Sequence, residues 1–135
     1  MRRPSTSADK QEAARHFAAI IEEQFAPFAA RGHPLPRLTL RWMRTRWGSL
    51  STRRRGYLRR WFGGGPPEPA RMTLNLALLE APRQCVEYVV VHELCHLEHQ
   101  GHGPAFYRLM ETLMPDWRGR KRRLEASIGA LLPVR

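Results

Sequence analysis

The sequence predicts a single domain of the α+β class, with helices near both ends of the chain and a small antiparallel or mixed sheet between them. The chain has 135 residues, which is the usual size of one domain. Apolar residues recur at three- and four-residue intervals in several segments, as in amphipathic helices. Between the first two such segments, apolar and polar residues alternate, as in half-buried strands. We expect the domain to span residues 9–135, after a flexible tail at residues 1–8.

The first predicted element is an amphipathic helix over residues 9–30. Asp9 is its expected N-cap, because a carboxylate can accept hydrogen bonds from the free N–H groups of the first turn. A glycine and two prolines in the segment 31–36 end the helix. Its predicted buried stripe consists of Ala13, Phe17, Ile20, Ile21, Phe25 and Phe28.

The middle of the chain predicts short strands separated by turns. Alternating patterns predict strands at residues 37–43 and 71–76. A further strand or turn is expected at residues 46–51, and another strand at 57–62. The glycine- and arginine-rich segment 53–56 predicts an exposed turn, and the segment 63–69, rich in glycine and proline, predicts a loop.

Three helices are predicted in the last third of the chain. The first, from residue 83 to about residue 100, has enough apolar residues to be largely buried and ends before Gly101. Pro104 favours the start of the second helix. The third is expected from about residue 117 to 132. It carries a basic cluster formed by Arg118, Arg120, Lys121, Arg122 and Arg123.

The overall charge is strongly positive. Basic residues outnumber acidic residues by 23 to 12, which gives a formal net charge of +11. Such a charge favours association with nucleic acid or another polyanion. Lysine occurs only at Lys10 and Lys121, however, so the excess of arginine indicates coding bias as much as function.

The sequence also indicates in which cellular compartment the protein is expected. No segment approaches the roughly 20 consecutive apolar residues of a membrane span, and the start of the chain lacks the apolar core of a signal peptide. We therefore expect a cytoplasmic protein with no membrane partner. Cys85 and Cys95 are predicted on one helix, about 15 Å apart along its axis, so they cannot form a disulfide with each other. The sequence predicts no particular oligomeric state.

A metal-binding motif lies on the predicted buried helix. His92, Glu93 and His96 form an H-E-x-x-H pattern. In a helix the two histidines lie about 40° apart around the axis and about 6 Å apart along it, so both can bind one tetrahedral ion. Glu93 would lie beside that ion, where it can act as a general base. Burying these polar groups is costly unless a metal binds them.

A catalytic zinc site requires a third protein ligand and one open position. His102 is favoured for the third ligand, because it follows Gly101, where the chain can turn back. A carboxylate such as Glu111 on the next helix is the alternative. His99 would lie about 10.5 Å along the helix from His92, too far for both to bind one ion. We expect His99 either to lie on the surface or to contact one of the metal-binding side chains without binding the ion itself.

Five short motifs follow one another along the chain: Arg46-Trp47-Gly48-Ser49, Thr73-Leu74-Asn75, the segment 88–97, the segment 101–106 and Met114-Pro115-Asp116. Taken together, they resemble a known family, the YgjP-like metallopeptidase domain. The piece from Gly101 to Phe106 is also similar to SprT-like zinc proteases. The resemblance implies a zincin-like α+β domain with His92, His96 and His102 as zinc ligands and Glu93 as the catalytic base.

The leading functional hypothesis is a zinc-dependent metallopeptidase. We expect Trp47 and Ser49 to lie on a strand beside the cleft, where an extended peptide could pair with the strand edge. The alternative for Trp47 is a core position in a tight glycine turn. Arg46 could steer an anionic group or simply be solvated. One alternative is a metal-dependent phosphohydrolase acting on nucleotides, with arginines that hold the phosphates. Another is a basic nucleic-acid-binding module with structural zinc. An open coordination position and the intact Glu93 favour the hydrolase.

Overall fold

A computed structural model describes residues 6–52 and 68–128. Within these residues the fold is α+β, with four α-helices and a mixed sheet of three strands. The elements in chain order are α1 (Ser7–Ala29), β1 (Arg37–Arg41), β2 (Gly48–Ser51), β3 (Arg71–Asn75), a 3₁₀ helix (Leu76–Glu80), α2 (Arg83–Cys95), α3 (Pro104–Leu113) and α4 (Trp117–Ile128).

The described sheet has the order β1-β3-β2, so the strand that is last in sequence lies in the middle. β1 runs parallel to β3, whereas β2 runs antiparallel to it, with Ser49 opposite Thr73. Of the two predicted alternatives, an antiparallel or a mixed sheet, the described sheet is therefore the mixed one. Among the described strands β2 has a neighbour on one side only, and this position brings it beside α2.

The core lies between the sheet and the helices, with α2 at its centre. Helix α2 contacts α1, α3, α4 and β2. Alternate residues of β3, Met72 and Leu74, are fully buried, as expected for a central strand with one face on the core. The six apolar residues predicted for the stripe of α1 are all buried. A helix surrounded by other elements holds its side chains in fixed positions, which suits it to carry a functional site.

Two helix ends differ from the sequence-based expectation. Helix α1 begins at Ser7, and its N-cap is Thr6 rather than Asp9. Asp9 instead occupies the third helical position. Its backbone N–H donates to the Thr6 hydroxyl at 3.0 Å, and its carboxylate accepts from the Thr6 N–H at 3.4 Å, which forms a capping box. Helix α2 ends at Cys95, five residues early, because the N–H groups of the next residues donate to carbonyls three residues back.

The strands around Asn75 are also shorter than predicted. β1 ends at Arg41, because the backbone of Met43 turns away to bond with the Asn75 side chain. β3 ends at Asn75, and the 3₁₀ helix that follows was not expected from the sequence. It begins where the Asn75 side chain accepts a hydrogen bond from the Ala77 N–H at 3.0 Å.

Several predictions fall on residues outside the described ranges. These are the turn at 53–56, the strand at 57–62, most of the loop at 63–69, the first five residues of the tail and the end of the last helix after Ile128. Cys85 and Cys95 are both buried and unbridged, so the predicted absence of a disulfide between them is confirmed. In the described part of the chain, no helix has the length and apolarity needed to cross a membrane.

Candidate metal centre and active-site cleft

Three histidine side chains converge at one point on the surface of α2. The Nε2 atom of His102 lies 3.2 Å from Nε2 of His92 and 3.1 Å from Nε2 of His96. The three candidate ligand atoms all lie within 4.8 Å of one another. Tetrahedral zinc with Zn–N distances of about 2.0–2.1 Å requires ligand nitrogens about 3.4 Å apart. The chemistry and the spacing of this triad therefore suit a zinc ion.

Different parts of the chain supply the three histidines. His92 lies in the last turn of α2, and His96 follows one helical turn later at its C-cap. His102 belongs to the exposed turn between α2 and α3. Phe106, fully buried in α3, packs against all three rings, with centroid distances of 5.0, 4.7 and 4.9 Å. This shared aromatic contact restricts the orientation of the triad.

A backbone carbonyl sets the tautomer of His96. Its Nδ1 lies 2.8 Å from the carbonyl oxygen of His99, and a carbonyl can only accept a hydrogen bond. Nδ1 therefore carries the proton, and Nε2 keeps a free lone pair directed at the other histidines. His99 thus contributes through its backbone, and its side chain is not part of the triad.

The surroundings of the triad favour the neutral form of two of its members, His92 and His102. The pKa of His92 is lowered from 6.5 to about 3, first by burial and then by the neighbouring histidines and Lys121. Burial, His96 and Lys121 also lower the pKa of His102. A metal binds the neutral form of imidazole, so these shifts favour coordination at neutral pH.

Glu93 lies next to the triad and is almost completely buried, with 6% of its surface exposed. Burial raises its pKa from 4.5 to about 7, although the positive charge of Arg46 opposes the shift. A carboxyl group with a pKa near neutrality can both accept and donate a proton at physiological pH. These are the properties of a general acid–base residue.

Strand β2 approaches Glu93 closely, and a glycine makes this approach possible. A Cβ atom added at Gly48 would lie 3.1 Å from Cγ of Glu93 and 3.2 Å from Cγ1 of Val89. Such distances are shorter than ordinary van der Waals contact, so any larger residue would displace the strand or the carboxylate. The role of Gly48 is therefore to let the strand pass directly over Glu93.

The triad and Glu93 open into a cleft of about 800 Å³. β2 lines this cleft, and so do Tyr88 and Val89 of α2 and Lys121 of α4. The structure places Arg46, Trp47 and Ser49 on the cleft as well. Ser49 lies in β2 as expected, whereas the expectation of a strand at Trp47 is wrong. β2 begins only at Gly48, because the preceding backbone bonds to the side chain of Asn75.

The chain is similar to known proteins in both sequence and fold. The sequence model of one family, described as YgjP-like, metallopeptidase domain, matches residues 6–127. The chain belongs to the YgjP-like family. Among solved structures, the metallopeptidase zymogen of Pyrococcus abyssi abylysin is similar, with a TM-score of 0.62 and 17% sequence identity. The alignment covers 84% of this chain and 95% of that one. No curated protein sequence matches significantly.

The YgjP-like domain contains one residue near the cleft whose importance the sequence reasoning missed. Asn75 is fully buried, and its Nδ2 donates to the backbone carbonyls of Met43 at 3.0 Å and Arg46 at 2.8 Å. Its own N–H donates to the Trp47 carbonyl at 2.9 Å. Asn75 thus fixes the segment that carries Arg46 and Trp47 to the cleft. Its place in the Thr73-Leu74-Asn75 motif was the only signal in the sequence.

The basic cluster of the last helix is largely engaged in contacts within the YgjP-like domain. Arg118 pairs with Glu111 at 2.6 Å, and Arg120 pairs with Glu87 at 2.8 Å and Asp116 at 3.1 Å. Glu111, the alternative third ligand, is therefore held by an arginine and is not part of the triad. Nucleic-acid association through this cluster stays a prediction.

Proposed function

We propose that the domain is a zinc-dependent peptidase that hydrolyses peptide bonds, with Glu93 as the general base. The observation that carries the proposal is the convergence of three histidines beside a buried carboxyl group in an open cleft. Three protein ligands are typical of catalytic zinc, whereas structural zinc sites are usually closed by four. No other histidine, cysteine, aspartate or glutamate joins the group within the described residues.

His92, His96 and His102 would hold the ion through their Nε2 atoms. When bound, zinc lowers the pKa of water and polarises a carbonyl group. The Glu93 carboxylate would take a proton from the attacking water and deliver it to the nitrogen of the leaving amine. With a pKa of about 7, Glu93 can perform both transfers without a large free-energy difference between its two forms.

The position of β2 supports a peptide as the substrate. The strand lines the cleft directly above Glu93. Among the described strands it pairs only with β3, so its other edge is not paired with a described strand. An extended peptide could therefore add to β2 through backbone hydrogen bonds, which would carry the peptide bond past Glu93. Trp47 and Ser49, which line the same cleft, would contact the side chains of that peptide.

Metal analysis and peptide cleavage together test the proposal. We expect about one zinc per chain by mass spectrometry of the purified protein, and strongly reduced occupancy after His92→Ala or His96→Ala. Cleavage of an unfolded protein substrate should stop after removal of the metal with a chelator and return when zinc is added. Full zinc occupancy in both histidine variants would overturn the metal assignment. A zinc-loaded protein that cleaves no peptide would overturn the peptidase assignment.

A further inference from the structure

Two cationic side chains that line the cleft form no ion pair with another described residue. Arg46 lies in the segment before β2, and Lys121 projects from α4. Neither forms an ion pair there, in contrast to Arg118 and Arg120 on the same helix as Lys121. Of the described carboxylates, only Glu93 lines the cleft. The described part of the cleft therefore carries an excess of positive charge.

The two cations act on different parts of the site. The charge of Arg46 acts on Glu93, whereas the charge of Lys121 acts on His92 and His102. Lys121 therefore lies close to the triad but affects the general base less directly. Lys121 is exposed and lines the cleft, so its side chain can contact a bound molecule. A cation in a concave, partly apolar site attracts anions more strongly than one on an open surface.

We infer that the cleft selects peptides that place a carboxylate beside the scissile bond, and that Lys121 is the residue that recognises this carboxylate. The inference rests on the proposed peptidase function. An internal Asp or Glu side chain and a free C-terminal carboxylate share the required chemistry. Peptides with amidated C-termini distinguish the two sources, because only an internal acid remains in them.

The experiment compares matched peptides. In the first series, each acetylated and amidated peptide carries a single Asp, and the position of this Asp varies from peptide to peptide on both sides of the cleaved bond. In the matched neutral series, Asn replaces the Asp. A third version ends in a free carboxylate and carries Asn. We expect kcat/KM for the best Asp or free-carboxylate peptide to exceed that for the neutral partner by about 10-fold at low salt, with the preference decreasing as salt is added.

Substitutions then test the role of Lys121. Lys121→Met should reduce the acidic preference about 3- to 10-fold, and Lys121→Glu should reverse it in favour of a Lys-containing peptide. Arg122→Met is the matched control, because Arg122 is the next residue on the same helix, is exposed and does not line the cleft. It removes the same charge and should leave the preference unchanged. An unchanged preference in Lys121→Met, or an equal loss in Arg122→Met, would overturn the inference.

A binding measurement separates this inference from the peptidase proposal. The zinc-loaded Glu93→Gln protein, with and without Lys121→Met, is titrated with the same peptides by calorimetry. We expect about 5-fold tighter binding of the acidic peptide, and loss of that difference in the double variant. Selective binding without cleavage by the wild-type protein would support the inference and contradict the peptidase function. Equal binding of acidic and neutral peptides would overturn the inference whatever the cleavage result.

Discussion

Replacing the buried carboxyl group of Glu93 by an amide should stabilise the metal-free protein at alkaline pH. A glutamine side chain has nearly the same shape but no charge, so Glu93→Gln removes the cost of burying a carboxylate and leaves the packing against Gly48 intact. Within the described residues the Glu93 carboxylate accepts no hydrogen bond, so the substitution breaks none. The stabilisation of the variant relative to the wild type should therefore depend on pH.

The pKa of Glu93 determines the size and the sign of this effect. Folding raises the pKa from 4.5 to about 7. Below pH 4.5 the group is protonated in both states and does not affect stability. As the pH rises to 7, the unfolded chain loses this proton before the folded chain does, so the wild-type protein is destabilised. Each pKa unit corresponds to ~1.4 kcal/mol, so the full cost above pH 7 is about 3 kcal/mol.

Urea denaturation of chelator-treated protein at pH 4.5 and pH 8 measures this difference. We expect the stability advantage of Glu93→Gln to be small at pH 4.5 and to reach about 3 kcal/mol at pH 8. Protonation of His92 also depends on pH, but it is common to both proteins and cancels in the comparison. Glu125→Gln, which removes an exposed carboxylate from α4, is the control and should show no such advantage. An advantage independent of pH would refute the reasoning.

The same variant should lose activity while it gains stability. Removal of a general base lowers hydrolysis by about 10²-fold or more. Zinc content should persist, because Glu93 is not part of the histidine triad. Unchanged turnover of a zinc-loaded Glu93→Gln protein would show that another group acts as the base.

Four further substitutions test the architecture of the site. His102→Ala should strongly weaken zinc binding in a competition assay. His99→Ala should leave zinc binding nearly unchanged, because the backbone carbonyl that orients His96 remains. The reverse order of the two effects would contradict the assignment of the triad. Asn75→Ala should lower the free energy of unfolding by about 2–4 kcal/mol in urea, because it leaves the buried Ala77 N–H unsatisfied and removes two hydrogen bonds to the carbonyls of Met43 and Arg46. A change below ~1 kcal/mol would argue against this role. Gly48→Ala should lower the free energy of unfolding by about 1–3 kcal/mol through overpacking, and it should lower kcat/KM about 10-fold or more. Wild-type activity in this variant would show that the close approach of the strand to Glu93 is unimportant.

Local sequence patterns were sufficient to predict most helices and the histidine–glutamate motif of the site. The apolar stripe of α1 repeats every three or four residues, and the structure buries the same six residues. His92, Glu93 and His96 lie within five consecutive residues of one helix, so helical geometry alone predicts that the two histidines face the same point. The site of His102 could also be anticipated, because Gly101 allows the chain to turn immediately before it.

Helix and strand ends were less predictable, because they depend on hydrogen bonds with distant residues or on competing caps. Thr6 and Asp9 are both good capping residues, and only the capping box formed by the pair shows which of them begins the helix. β1 ends early because Asn75, far along the chain, bonds to the backbone of Met43. A period-two pattern contains no information about such a partner.

By itself, the sequence determined the α+β class, the buried helix and the histidine–glutamate motif, because each depends on residues close together in the chain. Tertiary structure alone decided which distant groups meet this motif. It placed β2 over Glu93, which raises the pKa of the carboxyl group by burial and requires glycine at position 48. It also directed Lys121 into the cleft while acidic partners engage Arg118 and Arg120. Burial and charge pairing arise from packing between elements, so residue type and spacing could not reveal them.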